Sequence, residues 1–340
     1  MTNSKTLISK HERLFRRLTL CTVISVYLLF AAGSIVRSTG AGMGCPDWPK
    51  CFGSWVPPTE AYQLPSNYKE IYGAKLKGEV EFNVVKTWTE YANRLLGVVT
   101  GLLIFGTLLT SISYLRTTKS NLFYASLAAF ILVGFQGWLG SKVVSTELHP
   151  LMVTLHMVVA IVIVFILIYI LFNSNFPQLT PQGSQHSTRL KQLIALAMVL
   201  SFSQVMLGTQ VREVMDEVIV RLGYAARNEW IDQLGLSFYI HRSFSILVLG
   251  VNLLLVYKIM KGKDGSKLTA QLGVGIIVAI LLEIFTGIVM AYFGVPAAAQ
   301  PLHLTIAIVM LGMQYYLWLV NSIPSSKKDE LKANLVILAQ

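Results

Sequence analysis

Three histidines occupy related positions in this sequence and could ligate a metal. His156 and His303 each follow a similar pentapeptide, Gln136–Gly140 and Glu283–Gly287, and the first residue of each pentapeptide is twenty positions before the histidine. His241 lies in another apolar segment. Two histidines on different helices, such as His241 and His303, can bind a haem iron from opposite faces. The alternative is that each histidine only hydrogen-bonds within a helix interface, although polar side chains in apolar segments are usually functional.

A second repeated motif breaks the symmetry between the two copies. The residues Tyr-Ala-Asn-Arg ending at Arg94 align with Tyr-Ile-His-Arg ending at Arg242, so Asn93 stands where the other copy has His241. Glu90 lies three residues before Asn93, hence on the same helical face, and the other copy has a phenylalanine there. We predict a two-histidine haem site in one copy and, in the other, a reaction site with one histidine, an amide and a carboxylate.

The two arginines of this motif and the kind of metal allow further interpretations. The forked donors of Arg94 and Arg242 suit a carboxylate such as a haem propionate, and the alternative is that they anchor their helices at the membrane boundary. Zinc or copper could also use such histidines. Apart from Glu90, however, neither copy brings a carboxylate or thiolate to the same depth beside two histidines. A flat apolar cofactor between four helices is therefore favoured.

The elements that must position these residues are membrane-spanning helices. The chain has 340 residues, of which 54% are hydrophobic and only 13% charged, which excludes an ordinary soluble protein. Eight segments are long enough and apolar enough to cross a bilayer. They are 18–36, 95–115, 120–141, 150–172, 192–211, 234–257, 268–293 and 300–320. The predicted fold class is an all-α integral membrane protein with eight transmembrane helices.

The repeat divides these helices into two pseudo-symmetric four-helix bundles. Because four is an even number, the halves have a parallel orientation, which argues against an inverted-repeat transporter. The predicted parts are an N-terminal arm (1–17), an N-terminal half (18–172) with an outer loop (38–87), a linker (173–189), a C-terminal half (190–320) and a tail (321–340). The N-terminal half would carry the reaction site and the C-terminal half the two-histidine site.

The net charge of +11 is a topology signal rather than a sign of nucleic-acid binding. Sixteen of the 28 Lys and Arg residues fall on the side that holds both termini, with four acidic residues, and the other side is balanced. By the positive-inside rule both termini are cytoplasmic. The arm of about seventeen residues is short for an organellar transit peptide. We predict a multi-pass protein of the bacterial cytoplasmic (inner) membrane.

The outer loop contains two cysteines, Cys45 and Cys51, separated by five residues. Outside the cytoplasm such a pair is expected to form a disulfide. A zinc site is the less favoured alternative, because no histidine or third cysteine lies close by in the sequence. The third cysteine, Cys21, lies within the first span and is interpreted as a small apolar residue.

Four glycines lie in the second and third spans, at Gly97, Gly101, Gly137 and Gly140. Small residues in membrane helices commonly let neighbouring helices approach closely. We therefore interpret these four as packing positions.

Taken together, these motifs resemble the haem A synthase family over nearly the whole chain. The resemblance rests on the run Gly33-Ser-Ile-Val-Arg-Ser-Thr-Gly40 with the Gly-Cys-Pro-Asp-Trp-Pro that follows, on Glu90-Tyr-Ala-Asn-Arg94, on Gln204-Val-Met-Leu-Gly-Thr-Gln-Val-Arg212, and on the placement of His156, His241 and His303. Singly most of these motifs are weak, and jointly they are specific.

The resemblance implies an oxidoreductase acting on a CH group, which oxidises the C8 methyl of haem O to a formyl group and gives haem A for cytochrome oxidase assembly. It implies that His241 and His303 hold a b-type haem as cofactor and that the N-terminal half receives haem O. Glu90 matches a carboxylate associated with catalysis, and Cys45 and Cys51 resemble a first-loop pair found in many members.

The chain departs from the better-known family pattern at Asn93, where such members carry a histidine. Haem O would then be held by His156 alone, with Asn93 or water opposite, or another group such as His149 would substitute. We favour the first reading, because an amide is a poor iron ligand. The rival functions are a b-type electron-transfer cytochrome and a haem transporter or chaperone. Expected partners are haem O, a haem O synthase, an unidentified electron acceptor and the lipid bilayer, and the oligomeric state is open.

Overall fold

The described part of the chain is almost entirely helical. The computed structural model describes residues 10–73, 81–175, 188–261 and 267–322. Much of the predicted linker, most of the predicted tail and about half of the N-terminal arm lie outside these residues. The helices are α1 (Lys10–Ser38), α2 (Tyr68–Tyr72), α3 (Val84–Ser111), α4 (Ser120–Ser145), α5 (Pro150–Asn175), α6 (Thr188–Leu222), α7 (Gly235–Lys261), α8 (Lys267–Tyr292) and α9 (Ala299–Asn321).

All of these helices except α2 are long and apolar enough to cross a membrane. At about 1.5 Å of rise per residue, even α9, with 23 residues, covers the roughly 30 Å hydrocarbon core. The prediction of eight membrane-spanning helices is therefore confirmed. The boundaries between the five predicted parts and the pseudo-symmetry of the bundles stay predictions.

Local sequence explains where two site-bearing helices begin. The side chain of Asn83 accepts a hydrogen bond from the backbone N–H of Lys86 at 3.1 Å, which caps the start of α3. Pro150 is the first residue of α5, a position where its missing N–H costs nothing. These starts place Glu90 and His156 within about two turns of their helix ends.

Polar pairs in the core join helices where apolar packing alone is not selective. Ser25 and Thr100 are 2.7 Å apart and Thr22 and Thr107 are 3.1 Å apart, and both pairs link α1 to α3. Gln314 of α9 donates to Ser201 of α6 at 2.9 Å and to Asn252 of α7 at 2.8 Å. Such buried hydrogen bonds specify helix neighbours inside a bilayer, where neighbouring apolar faces do not.

The two sets of four spanning helices meet along α1, α5 and α9. Helices α1, α5 and α9 pack on one another, and α9 also packs on α6. A buried cluster fills this junction and consists of Met157, Ile161, Val205, Ile308 and Leu311. His156 and His303 lie near the N-terminal ends of α5 and α9, so this junction fixes their relative positions, and α7 places His241 by packing on α6 and α8.

Candidate functional site: an imidazole-lined cavity

A cavity of about 1590 Å³ lies among the spanning helices and receives side chains from both halves. Small-ligand pockets usually measure about 300–1,000 Å³, so this cavity has room for more than one ordinary ligand. All of the predicted catalytic and ligand residues line it, namely Glu90, Asn93, Arg94, His156, His241, Arg242 and His303. The fold therefore brings together the residues that the sequence motifs indicated. The cavity lining does not include His149, which is exposed before the start of α5.

His241 and His303 face each other in this cavity. Their ring centroids are 6.4 Å apart, with an angle of 67° between the ring planes. Metal–imidazole bonds are about 2 Å long, so two rings on opposite sides of one metal would have centroids about 6 Å apart. The observed spacing fits a single iron between the two rings.

A glycine lies against each of the four side chains at the ligand positions. An added Cβ would lie 3.2 Å from His241 Cε1 at Gly208 and 3.8 Å from His303 Cε1 at Gly287. In the other half the same contact is 3.6 Å between Gly140 and His156 Cε1, and 3.9 Å between Gly33 and the Oδ1 of the fourth side chain, an asparagine. The glycines are themselves related in sequence: Gly140 and Gly287 end the two pentapeptides, and Gly33 and Gly208 begin the similar segments GSIVR and GTQVR. Each clears the space that the imidazole or amide occupies.

The predicted packing role is wrong for Gly97, Gly101 and Gly137. At Gly97, Gly101 and Gly137 an added Cβ would meet no neighbouring atom within 4 Å among the described residues, and all three line the cavity. They leave open space there instead of allowing helices to approach. The sequence could not distinguish close helix packing from open cavity space, because a glycine shows only that a side chain is absent and not what occupies the space instead.

In the N-terminal half, His156 and Asn93 present unused polar atoms. His156 Nδ1 and Asn93 Oδ1 are buried and have no hydrogen-bond partner within the described ranges. Gln136 donates to the backbone carbonyl of His156 at 2.7 Å. This hydrogen bond joins α4 to α5 and does not involve the imidazole ring. Buried polar atoms are normally satisfied, so these two indicate a site that a ligand or water completes.

Glu90 is buried at the N-terminal end of α3 and holds the outer loop. Its Oε2 accepts the backbone N–H of Cys45 at 2.8 Å, and its Oε1 pairs with Arg94 at 2.5 Å. Thr87 donates to the carbonyl of Gly44 at 2.9 Å. An added Cβ at Gly44 would lie 2.5 Å from the backbone oxygen of Lys86, so only glycine permits this close approach.

Arg94 joins the same loop with most of its donors. Its Nη atoms donate to the carbonyls of Cys45 (2.9 Å), Asp47 (2.7 Å) and Lys50 (3.0 Å), besides the bond to Glu90. Arginine has five N–H donors, so a propionate would have to use the remaining Nε–H. Arg242 lines the cavity as an exposed side chain, which leaves it better placed for such a contact.

The loop that Glu90 and Arg94 hold is closed by a disulfide. Cys45 and Cys51 are bonded, and both are fully buried. The predicted disulfide is confirmed. Trp48, within the disulfide-closed segment, and Trp55, just after it, line the cavity, so the loop covers part of it.

An ion cluster that the sequence analysis missed joins the halves beside this cavity. Asp216 pairs with Arg37 at 2.7 Å and with Arg212 at 2.5 Å. Arg212 also donates to the carbonyl of Arg37 at 3.1 Å and to Gln300. Arg37 and Arg212 end two similar segments, Gly33-Ser-Ile-Val-Arg37 and Gly208-Thr-Gln-Val-Arg212, and this similarity was the available signal. Asp216 has no acidic counterpart after Arg37 at the same spacing.

We expect Asp216→Ala to weaken the junction, because two partly buried arginines lose their shared carboxylate. The side chain of Asp216 is 38% exposed, so the cost should be about 1–2 kcal/mol, below that of breaking a fully buried pair. The midpoint of thermal unfolding in detergent measures this effect. Asp232→Ala, which removes an exposed aspartate, is the control. Equal midpoints in the two variants would contradict this role of Asp216.

Fold and site together define a multi-pass helical membrane protein in which imidazoles from three helices face one large cavity. The chain belongs to the COX15-CtaA family of cytochrome oxidase assembly proteins, whose family model matches residues 16–315. This match covers well over half of the chain. The family predicted from the sequence motifs is therefore confirmed.

Several bacterial proteins named "Heme A synthase" are similar to this chain. The protein from Rickettsia prowazekii is 24% identical over 332 residues, which cover 89% of this chain and 96% of that protein. The protein from Rickettsia bellii is 23% identical over 348 residues, 93% and 99% of the two chains. The protein from Shewanella oneidensis is 25% identical over 187 residues, 55% and 53% of the two chains.

Proposed function

We propose that this protein is a haem A synthase, which oxidises the C8 methyl group of haem O to a formyl group. The observation that carries the proposal is one cavity lined by a facing histidine pair from the C-terminal half and by a histidine, an amide and a buried carboxylate from the N-terminal half. The family and the names of the relatives support an enzyme that acts on haem. A simple electron-transfer cytochrome would leave Asn93 without a role and would give Glu90 only the structural role of holding the outer loop.

The cofactor in this proposal is a b-type haem between His241 and His303. The 6.4 Å spacing of the two rings and the space cleared by Gly208 and Gly287 fit such a group. Arg242 would bind a propionate. A bound b-type haem would supply a one-electron redox centre. His241 and His303 hold it, and their placement decides its distance from the substrate site.

The substrate haem O would bind in the N-terminal half on His156. Asn93 lies on the same cavity, and its unpartnered Oδ1 can accept a hydrogen bond from water or from a hydroxyl group opposite the histidine. His149 is a weaker alternative, because it is exposed and absent from the cavity lining. This arrangement leaves one side of the substrate iron without a strong protein ligand.

Glu90 would move protons during the oxidation. Arg94 and the Cys45 amide donate to its oxygens, and a carboxylate offers about four acceptor positions, so Glu90 can still take a proton from water or a substrate hydroxyl in the cavity. Arg94 and the Cys45 amide fix the carboxylate at the cavity wall. The loop closed by Cys45 and Cys51 limits the access of outside water to this group.

The proposed setting is the bacterial cytoplasmic membrane, with both termini in the cytoplasm and the site near the outer face. His303 is the fifth residue of α9 and His241 the seventh of α7, so they lie about one and about two turns from the same membrane boundary. A haem O synthase would deliver the substrate. An electron acceptor must remove the electrons, because a haem carries only one at a time.

Co-expression of the chain with a haem O synthase, in a bacterium that makes no haem A, tests this proposal. Extraction and chromatography of the haems should show haem A together with its hydroxymethyl precursor. The His156→Ala variant, expressed to the same level, should accumulate haem O. If the wild-type cells contain only haem O and haem B, the proposed enzyme activity is wrong.

A further inference from the structure

The ring of His303 is held by groups that the other two cavity histidines lack. His303 Nδ1 lies 3.0 Å from Glu283 Oε2 and 2.8 Å from Thr286 Oγ1. The Nδ1 atoms of His156 and His241 are buried and have no partner in the described part of the chain. The three imidazoles therefore share a cavity but not an environment.

The hydrogen bonds around Thr286 indicate which ring nitrogen carries the proton. Thr286 Oγ1 lies within hydrogen-bond distance of two backbone carbonyls of its own helix, that of Leu282 at 2.8 Å and that of Glu283 at 3.1 Å, so its single proton can be donated there. Oγ1 then accepts from His303 Nδ1, as does the carboxylate oxygen of Glu283, which can only accept. With the proton on Nδ1, the lone pair of the neutral ring lies on Nε2, the nitrogen free to bind a metal.

The sequence repeat provides an internal comparison for this arrangement. Glu283 and Thr286 correspond to Gln136 and Leu139 in the N-terminal half. Gln136 donates its amide to the backbone carbonyl of His156 at 2.7 Å. A carboxylate has no N–H to donate, and Glu283 pairs with the ring of its histidine instead. Among the described residues, a carboxylate contacts the ring of a cavity histidine only in the C-terminal half.

We infer that Glu283 is a positioning residue, which acts on the haem b iron through His303. By accepting the Nδ1–H hydrogen bond it fixes the ring and its tautomer and makes Nε2 a stronger electron donor, as carboxylate partners do for metal-bound histidines. A stronger donor stabilises ferric iron relative to the ferrous iron that forms when it takes up one electron. This inference rests on the proposed function, because it requires His303 to be an iron ligand.

Redox titration of the haem b in the purified, haem-loaded protein tests this role. Glu283→Gln introduces glutamine, the residue at the corresponding position (Gln136) of the N-terminal half, and should raise the midpoint potential of the haem. At a fixed ambient potential the ferric-to-ferrous ratio should fall at least about tenfold, which for one electron corresponds to about 59 mV. Glu217→Gln makes the same chemical change at an exposed position of α6 and should leave the ratio unchanged.

Three outcomes distinguish a failure of this inference from a failure of the proposed function. An unchanged potential in Glu283→Gln, with full haem content, would overturn the role of Glu283 and leave the proposed function standing. If His303→Ala keeps the low-spin haem, the ligand assignment itself is wrong. If Glu283→Gln loses its haem, the Thr286→Val variant tests the inference instead. In that variant Glu283 is the only acceptor left for the His303 Nδ1–H, so the midpoint potential of the haem should fall below that of the wild type. An unchanged or higher midpoint potential in Thr286→Val would overturn the inference.

Discussion

Glu90→Gln is expected to stop the formation of haem A while the haem b spectrum persists. The substitution removes the carboxylate that we propose as the proton carrier, and it leaves the facing histidine pair of the C-terminal half untouched. General acid–base groups contribute about 10²–10⁴ in rate, so conversion of haem O should fall at least about a hundredfold. Haem extraction from co-expressing cells measures the conversion, and the reduced-minus-oxidised spectrum measures haem b.

A structural role of Glu90 has to be separated from a chemical one, because its carboxylate also anchors the outer loop through Cys45 and Arg94. Arg94→Gln removes most of the loop contacts and keeps the carboxylate, so it should retain more activity than Glu90→Gln. The redox state of the Cys45–Cys51 disulfide reports whether the loop still closes. Glu81→Gln, at an exposed position, is the matched control. Conversion by Glu90→Gln above half of the control level would contradict a proton-carrying role.

The spans and the candidate site could be predicted because their signals are local or repeated. An uncharged run of about twenty residues is enough to indicate a membrane helix. Repetition identified His156, His241 and His303 as a set, because equal spacing puts equivalent residues at equivalent depths. The departure at Asn93 was visible for the same reason.

The contacts between distant residues could not be predicted in this way. Arg37 meets Asp216 across 179 positions, and Cys45 meets Glu90 across 45. In a chain of uniformly apolar helices the face that meets a neighbour is not distinguished by hydrophobicity, because lipid and helix neighbours are equally apolar. Glu283 illustrates the same limit. Its position in the repeat was evident, but its contact with the ring of His303 depends on the relative rotation of α8 and α9.

His241→Ala and His303→Ala are each expected to abolish the low-spin b-type spectrum. The two rings face each other at 6.4 Å from different helices, so no single helix can supply both ligands and loss of either one breaks the pair. The remaining histidine could hold iron only with a weak or missing ligand opposite it, which would change the spin state. Absorption and electron paramagnetic resonance spectra of the purified variants measure this.

His156→Ala is the decisive companion variant, because it removes an equally buried imidazole from the same cavity. Under our assignment it keeps the low-spin haem b spectrum and loses the conversion of haem O, whereas the other two variants lose both. A low-spin spectrum that survives in His241→Ala or in His303→Ala would show that the facing pair is not the ligand set. Loss of this spectrum in His156→Ala would place the resident haem in the N-terminal half and reverse the assignment of the two sites.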